Sequence, residues 1–440
     1  MKKEIVMGKS IIEKKMSWHT SLFYAIALFL VVYNPPIYAG VSFSVLAVIA
    51  SFFVILTNKN RAYDMLRTKG IKLCVRLFSI FFVYFLVVAF ANFFLTAHEG
   101  IMLTISSHLV SYFSFFIVTF AIVVWMSKKH ISFNQVCRLY ILAGVLQTIL
   151  VFVCLVSPGI KSFFNGLTAQ NSNAEKIAIG LEFEAAYRNF GFASTLYDIF
   201  GFAMAILGVM AIVQALKGKK VYYVTALAFA IAAGVNARSG FLIFIAGAVI
   251  LMMSHKGRVK ASWLIRRVIF FILLFAGLSA LFAWIVSDSS SEQLLWLASA
   301  VMETQSFSSG QSEGYYDTLM NDFIFFPDGL SLIFGTGMPP HLAINHNSDV
   351  GYIQNVWMYG IVGSVLVYAF YIKMFTMAIP KLSWPDSPMM KTILIMIAIY
   401  LVKLTCFGYS QASVIFGPLC FLAAYESKRM RVMHKGGPSE

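Results

Sequence analysis

Apolar residues come in long unbroken runs, each ended by a short polar stretch, from one end of the chain to the other. A helix that crosses a membrane needs about 20 mostly apolar residues. Twelve runs meet or approach that length: 18–36, 38–57, 71–95, 101–126, 136–157, 192–216, 221–236, 239–254, 266–286, 352–372, 391–408 and 411–426. None shows the strict alternation of a membrane β-barrel strand, and in lipid every backbone group must be bonded internally, so the runs are expected as helices. The expected fold is an all-α polytopic membrane protein of about twelve transmembrane helices, one integral membrane domain over 1–440.

Composition removes the alternatives. Of the 440 residues 59% are hydrophobic and only 12% charged, about half the charge of an ordinary soluble domain. Disorder, collagen-like fibres and disulfide scaffolds are excluded by the same figures. The five cysteines lie in or beside apolar runs, so no disulfide framework or CxxC metal site is expected.

The net charge of +15 raises the question of nucleic acid. Its distribution answers no. Lys and Arg gather at 2–15, 59–76, 128–138, 217–220, 256–267, 373–391 and 428–435, which are every second loop and both termini. That is the positive-inside pattern, and it places both termini in the cytoplasm. The first run is not expected to be a cleaved signal peptide, because Asn34-Pro35-Pro36 leads straight into another apolar run without a small-residue cleavage site. The runs 221–236 and 239–254 have basic flanks on both sides, so the break between them should point outward as a hairpin tip. One tilted 33-residue helix is the alternative.

Two outward loops are long, 158–191 and 287–351, and the second has no Lys or Arg but eight acidic residues. Connections of that length usually carry function. Within the second, 292–304 reads as an amphipathic helix, 306–314 as a Ser/Gly-rich gate and 315–326 as a short helix stopped at Pro327. In this topology only Lys161, Lys176, Arg188 and Arg238 are outward cations. Lys403 falls inside a span, about 16 Å from its cytoplasmic end. An intramembrane lysine costs roughly 2.5–3.5 kcal/mol, so it should face a cavity or a partner, unless it snorkels.

Arg188, where the first long loop re-enters the membrane, and Arg238, at the hairpin tip, stand at the membrane boundary. A guanidinium fork there suits a phosphate or pyrophosphate head group, or pairs with a local carboxylate, for which Asp198 is a candidate. His346 and Asp349 would share a face if helical, and a His beside a carboxylate can serve as general base. Capping of the following helix, or metal ligation together with His341, are the other readings of the pair. His108, about two turns into its span, reads as a satisfied interior histidine.

At these residues the chain resembles a family. Asn236-Ala237-Arg238-Ser239-Gly240-Phe241-Leu242 is similar to the break that begins the shared region of bacterial O-antigen polymerases and O-antigen ligases. Phe334-Gly335-Thr336-Gly337, then Asp349-Val350-Gly351-Tyr352, then Gly360 and Gly363, are similar to the polymerase branch. The resemblance implies a GT-C-like membrane glycosyltransferase of the bacterial inner membrane, working on the periplasmic face without cofactor or metal. It implies undecaprenyl-pyrophosphate-linked glycans as donor and acceptor, with membrane lipid, a chain-length regulator and a repeat-unit flippase as partners. In such an enzyme His346 with Asp349 would activate the acceptor hydroxyl, and Arg188, Arg238 and Lys403 would bind the pyrophosphate. Two departures stand out. The second long loop lacks the arginine–spacer–glycine motif described for polymerases. The ligase-like His346-Asn347 pair is followed by Ser348-Asp349 instead of an early Leu. Ligase and repeat-unit flippase or transporter are the alternative functions.

Overall fold

The computed structural model describes residues 16–38, 41–169, 191–193, 198–254, 323–344, 346, 348 and 350–435. In chain order these form α1 (Trp18–Tyr33), a two-strand hairpin of β1 (Pro36–Tyr38) and β2 (Val41–Ser42), α2 (Phe43–Thr57), α3 (Lys59–Leu66), α4 (Lys69–Thr96), α5 (Glu99–Lys128), α6 (Phe133–Val156) and α7 (Pro158–Ala169). Then follow α8 (Asp198–Leu216), α9 (Val221–Asn236), α10 (Arg238–Met253), the short α11 (Leu330–Phe334) and α12 (Pro340–Ala343), α13 (Gly351–Ala378), α14 (Asp386–Tyr400) and α15 (Gln411–Lys435). Each apolar run of the sequence overlaps one of these helices, except 266–286, which lies outside the described residues, as does the expected surface helix at 292–304. Among the described residues five helices, α4, α5, α6, α8 and α13 with the turn that follows it, are long and apolar enough to cross a membrane. The fold is that of an all-α membrane protein.

Three boundaries differ from the sequence reading. The chain does not pass from Pro36 into a span at once: Asn34 is left-handed (φ 45°), accepts the Ser44 N–H on its side chain, and lets β1 fold back on β2 before α2 begins. The first long loop opens with a helix, α7. Residues 323–326, the end of the helix expected at 315–326, are not helical.

α8 is the centre of the bundle. Phe200 through Ala215 are buried without interruption, as a helix must be when it is apolar all round and enclosed by protein. Lipid tails are as apolar as leucine, so close packing through small residues replaces the hydrophobic effect as the force between spans. Gly201 and Gly240 show this: a Cβ on Gly240 would lie 2.6 Å from the backbone carbon of Gly201. The same helix decides the hairpin. Gly201 abuts Ala233 and Ala237, while Gly208, two turns on, abuts Ala226 and Phe244. Both α9 and α10 therefore run back along α8 from a shared tip, and the single tilted helix is excluded.

α3 turns 90° from α2 and is tied to α15. Tyr425 donates to Asp64 at 2.9 Å, and Lys428 pairs with the same carboxylate. Partial burial pushes the Asp64 carboxyl up, but these hydrogen bonds and the charges of Lys428 and Arg67 outweigh it and leave it below the ordinary range.

Candidate active site

Two non-helical stretches build the candidate site, and the first follows α14. The sequence reading carried that helix to 408, with Lys403 inside it. In the structure α14 stops at Tyr400, and Lys403 stands in the turn that follows. The chain from 404 to 410 is irregular yet largely buried, which at membrane depth requires partners for each backbone group. Side chains supply several of them: Ser111 accepts the Tyr409 N–H at 2.9 Å, Tyr371 accepts the Gly408 N–H at 3.0 Å, and Ser413 donates to the Gly408 carbonyl at 2.6 Å.

The Lys403 ammonium lies 4.0 Å from the Asp198 carboxylate, at the first residue of α8. The other oxygen of Asp198 accepts a 2.8 Å hydrogen bond from the Ser239 hydroxyl, in the first turn of α10. A second rung braces the contact one turn below, where Tyr400 stacks on Phe202 with centroids 4.2 Å apart and rings 6° from parallel. Three elements thus meet at one point, the starts of α8 and α10 and the turn after α14. Arg238 is the first residue of α10; its side chain lies outside the described residues, and so do Arg188 and Lys176. Lys161, expected among the outward cations, is buried in α7. Burial brings its ammonium down to about 8, partly opposed by Cys154.

The second stretch leads into α13. The Tyr352 N–H donates to the Leu401 carbonyl at 3.1 Å, and Gly351 lies against the backbone of Leu404 and Thr405. This seats the entry to α13 on the Lys403 turn. His346 precedes that contact by six residues. It is exposed, with its ring on Phe325 (centroids 4.7 Å). Ser348, fully buried, donates to the Phe323 carbonyl at 2.6 Å and fastens the segment just after His346, while the Trp357 indole donates to Phe325 at 3.1 Å and holds the ring partner of His346 on α13. α13 begins only at Gly351, and His346 stands before it in a non-helical stretch, so the helical premise of the shared face does not hold at His346. Asp349 itself lies outside the described residues. Among the described residues no cluster of three or more His, Cys, Asp or Glu could hold a metal ion.

The glycine-rich motif has a structural reason. α13 is broken at Gly360, whose φ of 64° and ψ of −177° leave the carbonyls before it without helical partners. The Thr336 N–H donates to Trp357 at 2.7 Å, the Gly337 N–H to Met358 at 3.2 Å, and the Tyr84 hydroxyl to Tyr359 at 3.1 Å. A side chain at Gly335 (φ 88°) would lie 2.6 Å from the Gly360 nitrogen. Phe334-Gly335-Thr336-Gly337 is the plug that re-satisfies a kinked span.

Sequence reasoning brought Arg238, Lys403 and the approach to His346 to the same end of the molecule. It gave Asp198 only a secondary role, as partner to an arginine. The signal was there: Asp198 is the one charged residue in the run 192–216. His108 is half-buried and bonds the Thr104 carbonyl through Nδ1 at 3.0 Å, as an interior histidine should. No protein-family model matches the chain, and no curated protein matches it.

Proposed function

We propose that this protein is a membrane glycosyltransferase that polymerises undecaprenyl-pyrophosphate-linked oligosaccharide repeat units, moving the growing glycan from its lipid pyrophosphate onto a hydroxyl of the next lipid-linked unit on the periplasmic face of the bacterial inner membrane. The observation that carries this reading is the convergence at one end of the bundle: Lys403 and Ser239 on Asp198 beside the start of α10, with the entry to α13, six residues after His346, seated on the Lys403 turn. Cations and helix-terminal N–H groups suit a diphosphate leaving group on which charge builds up as the glycosidic bond breaks. A solvent-exposed imidazole on a fastened segment suits removal of the acceptor's proton. No nucleotide sugar enters the scheme. The transferred glycan keeps its lipid pyrophosphate until the new bond forms, and the freed lipid pyrophosphate leaves through the bilayer.

The test is the product ladder of a deletion strain. Loss of a polymerase leaves lipid A–core carrying a single repeat unit. Bare core would point to an O-antigen ligase. Loss of lipid-linked units from the periplasmic face would point to a flippase or other transporter.

A further inference from the structure

The Asp198 carboxylate occupies the position that an anion would take. One oxygen accepts from Ser239, the other faces Lys403 at 4.0 Å, and the residue sits beside the first turn of α10, whose N-cap, Ala237, offers no side-chain acceptor. The lysine side chain keeps 39% of its exposure and the carboxylate 17%, so the ammonium is reachable while its partner is largely enclosed. The frame around them is stiff. Gly201 and Gly240 hold α8 and α10 in backbone contact, and Tyr400 stacked on Phe202 fixes α14 against α8. What remains adjustable is the pair itself, since a 4.0 Å separation is long for an ion pair.

We infer that Asp198 is an internal competitor at the anion site: it holds Ser239 and Lys403 in place when the site is empty, and an incoming phosphate-class anion displaces it from both. The inference rests on the pyrophosphate reading above. It adds that a carboxylate sets the threshold for occupancy, so that a singly charged anion displaces it poorly and a diphosphate displaces it well. The carboxylate also keeps the lysine from snorkelling away.

The experiment uses the full chain in lipid nanodiscs and inorganic pyrophosphate as the probe. An amine reagent labels the protein at fixed pH, and mass spectrometry reads the Lys403 peptide as pyrophosphate rises. Pyrophosphate should protect Lys403, and Asp198→Asn should lower the half-protecting concentration roughly five-fold, the effect of one charge about 4 Å away even in a water-like dielectric. Asp198→Glu, which keeps the charge, should stay near wild type. Should Asp198→Asn fail to fold, the unmutated protein still decides: a carboxyl-directed diazo reagent should modify Asp198 faster when pyrophosphate is present. Protection unchanged or weakened in Asp198→Asn, or Asp198 reactivity unmoved by pyrophosphate, would overturn the competitor role and leave the pyrophosphate reading intact. No protection of Lys403 in any variant would overturn that reading, and the competitor role with it.

Discussion

Lys217 donates to both carboxylate oxygens of Asp386, at 2.7 and 2.8 Å, at the opposite end of the α8–α14 pair from Lys403 and Asp198. Lys217 follows the last residue of α8, and Asp386 is the first of α14. The two antiparallel helices are thus pinned at both ends, each pin formed by a residue at one helix's start and another just past the other helix's end. The 19 residues of α8 span about 28 Å, close to the hydrocarbon thickness of a bilayer. The Lys217 pin is the tighter. It carries Asn134, which accepts from Lys217 at 2.8 Å and from Gln214 at 2.9 Å, and Arg138, which donates to Gln214 at 3.2 Å.

Sidedness comes first among the predictions. Loops 217–220 and 381–386 share one face and loops 236–240 and 401–410 the other. All five native cysteines are buried, so the background to thiol labelling should be low. Cysteines placed at Val402 and at Ser309 should react with an impermeant reagent from outside intact spheroplasts, and one at Lys219 only after lysis. The reverse pattern would turn the topology over.

If Arg238 grips pyrophosphate through its bidentate fork, lysine is a poor substitute, offering a point charge with a different reach. Arg238→Lys should lose most long-chain polysaccharide and Arg238→Ala essentially all of it, at unchanged protein level. A full ladder from the lysine variant would leave Arg238 as a lipid anchor only.

General base catalysis is typically worth ~10²–10⁴-fold, so His346→Ala should cut polymerisation by at least the lower figure while the protein stays in the membrane. Chelators should have no effect on the wild type. Normal chain lengths from His346→Ala would move the base to Asp349 or to the substrate itself.

Gly360→Ala tests the kink. A φ of 64° with ψ near 180° is a region essentially reserved to glycine and costs another residue roughly 1–3 kcal/mol, and here the new Cβ would also press on the Ile333 carbonyl and come within 2.5 Å of the Gly335 nitrogen. Folded yield in size-exclusion chromatography should drop sharply. Gly166→Ala, in α7 with open space around it, should be neutral.

The buried Lys161 gives a pH signature. Its ammonium loses its proton at about 8 in the folded chain, against about 10.4 when unfolded. Between those values the unfolded state binds more protons, so this residue's contribution to stability rises with pH from about 8 to about 10.4 and is least favourable below 8. Lys161→Met should remove that dependence and raise thermal stability most at or below pH 7.5. Melting curves of both proteins in detergent from pH 7 to 9.5 would show it; parallel curves would not fit a buried lysine.

The sequence by itself determined where the long apolar helices of the described residues lie, because a run of apolar residues in lipid has no other way to satisfy its backbone. It determined the hairpin tip at Asn236–Gly240 and the grouping of loops by side, because basic flanks repeat on alternate loops. It marked Gly335, Gly337 and Gly360 as special without giving the reason. Only the tertiary structure decided that α14 ends before Lys403, because the partners that let a span unwind there, Ser111, Tyr371 and Ser413, come from helices distant in sequence or from the next turn. Only it could bring Asp198, Ser239 and Lys403 to one point, since 41 residues separate the first two and 164 more the third. Hydropathy is a local property of the chain and survives a reading in one dimension. Ion pairs and shared carbonyls depend on which helices lie side by side, and that is set by where small residues such as Gly201 and Gly240 let two backbones touch.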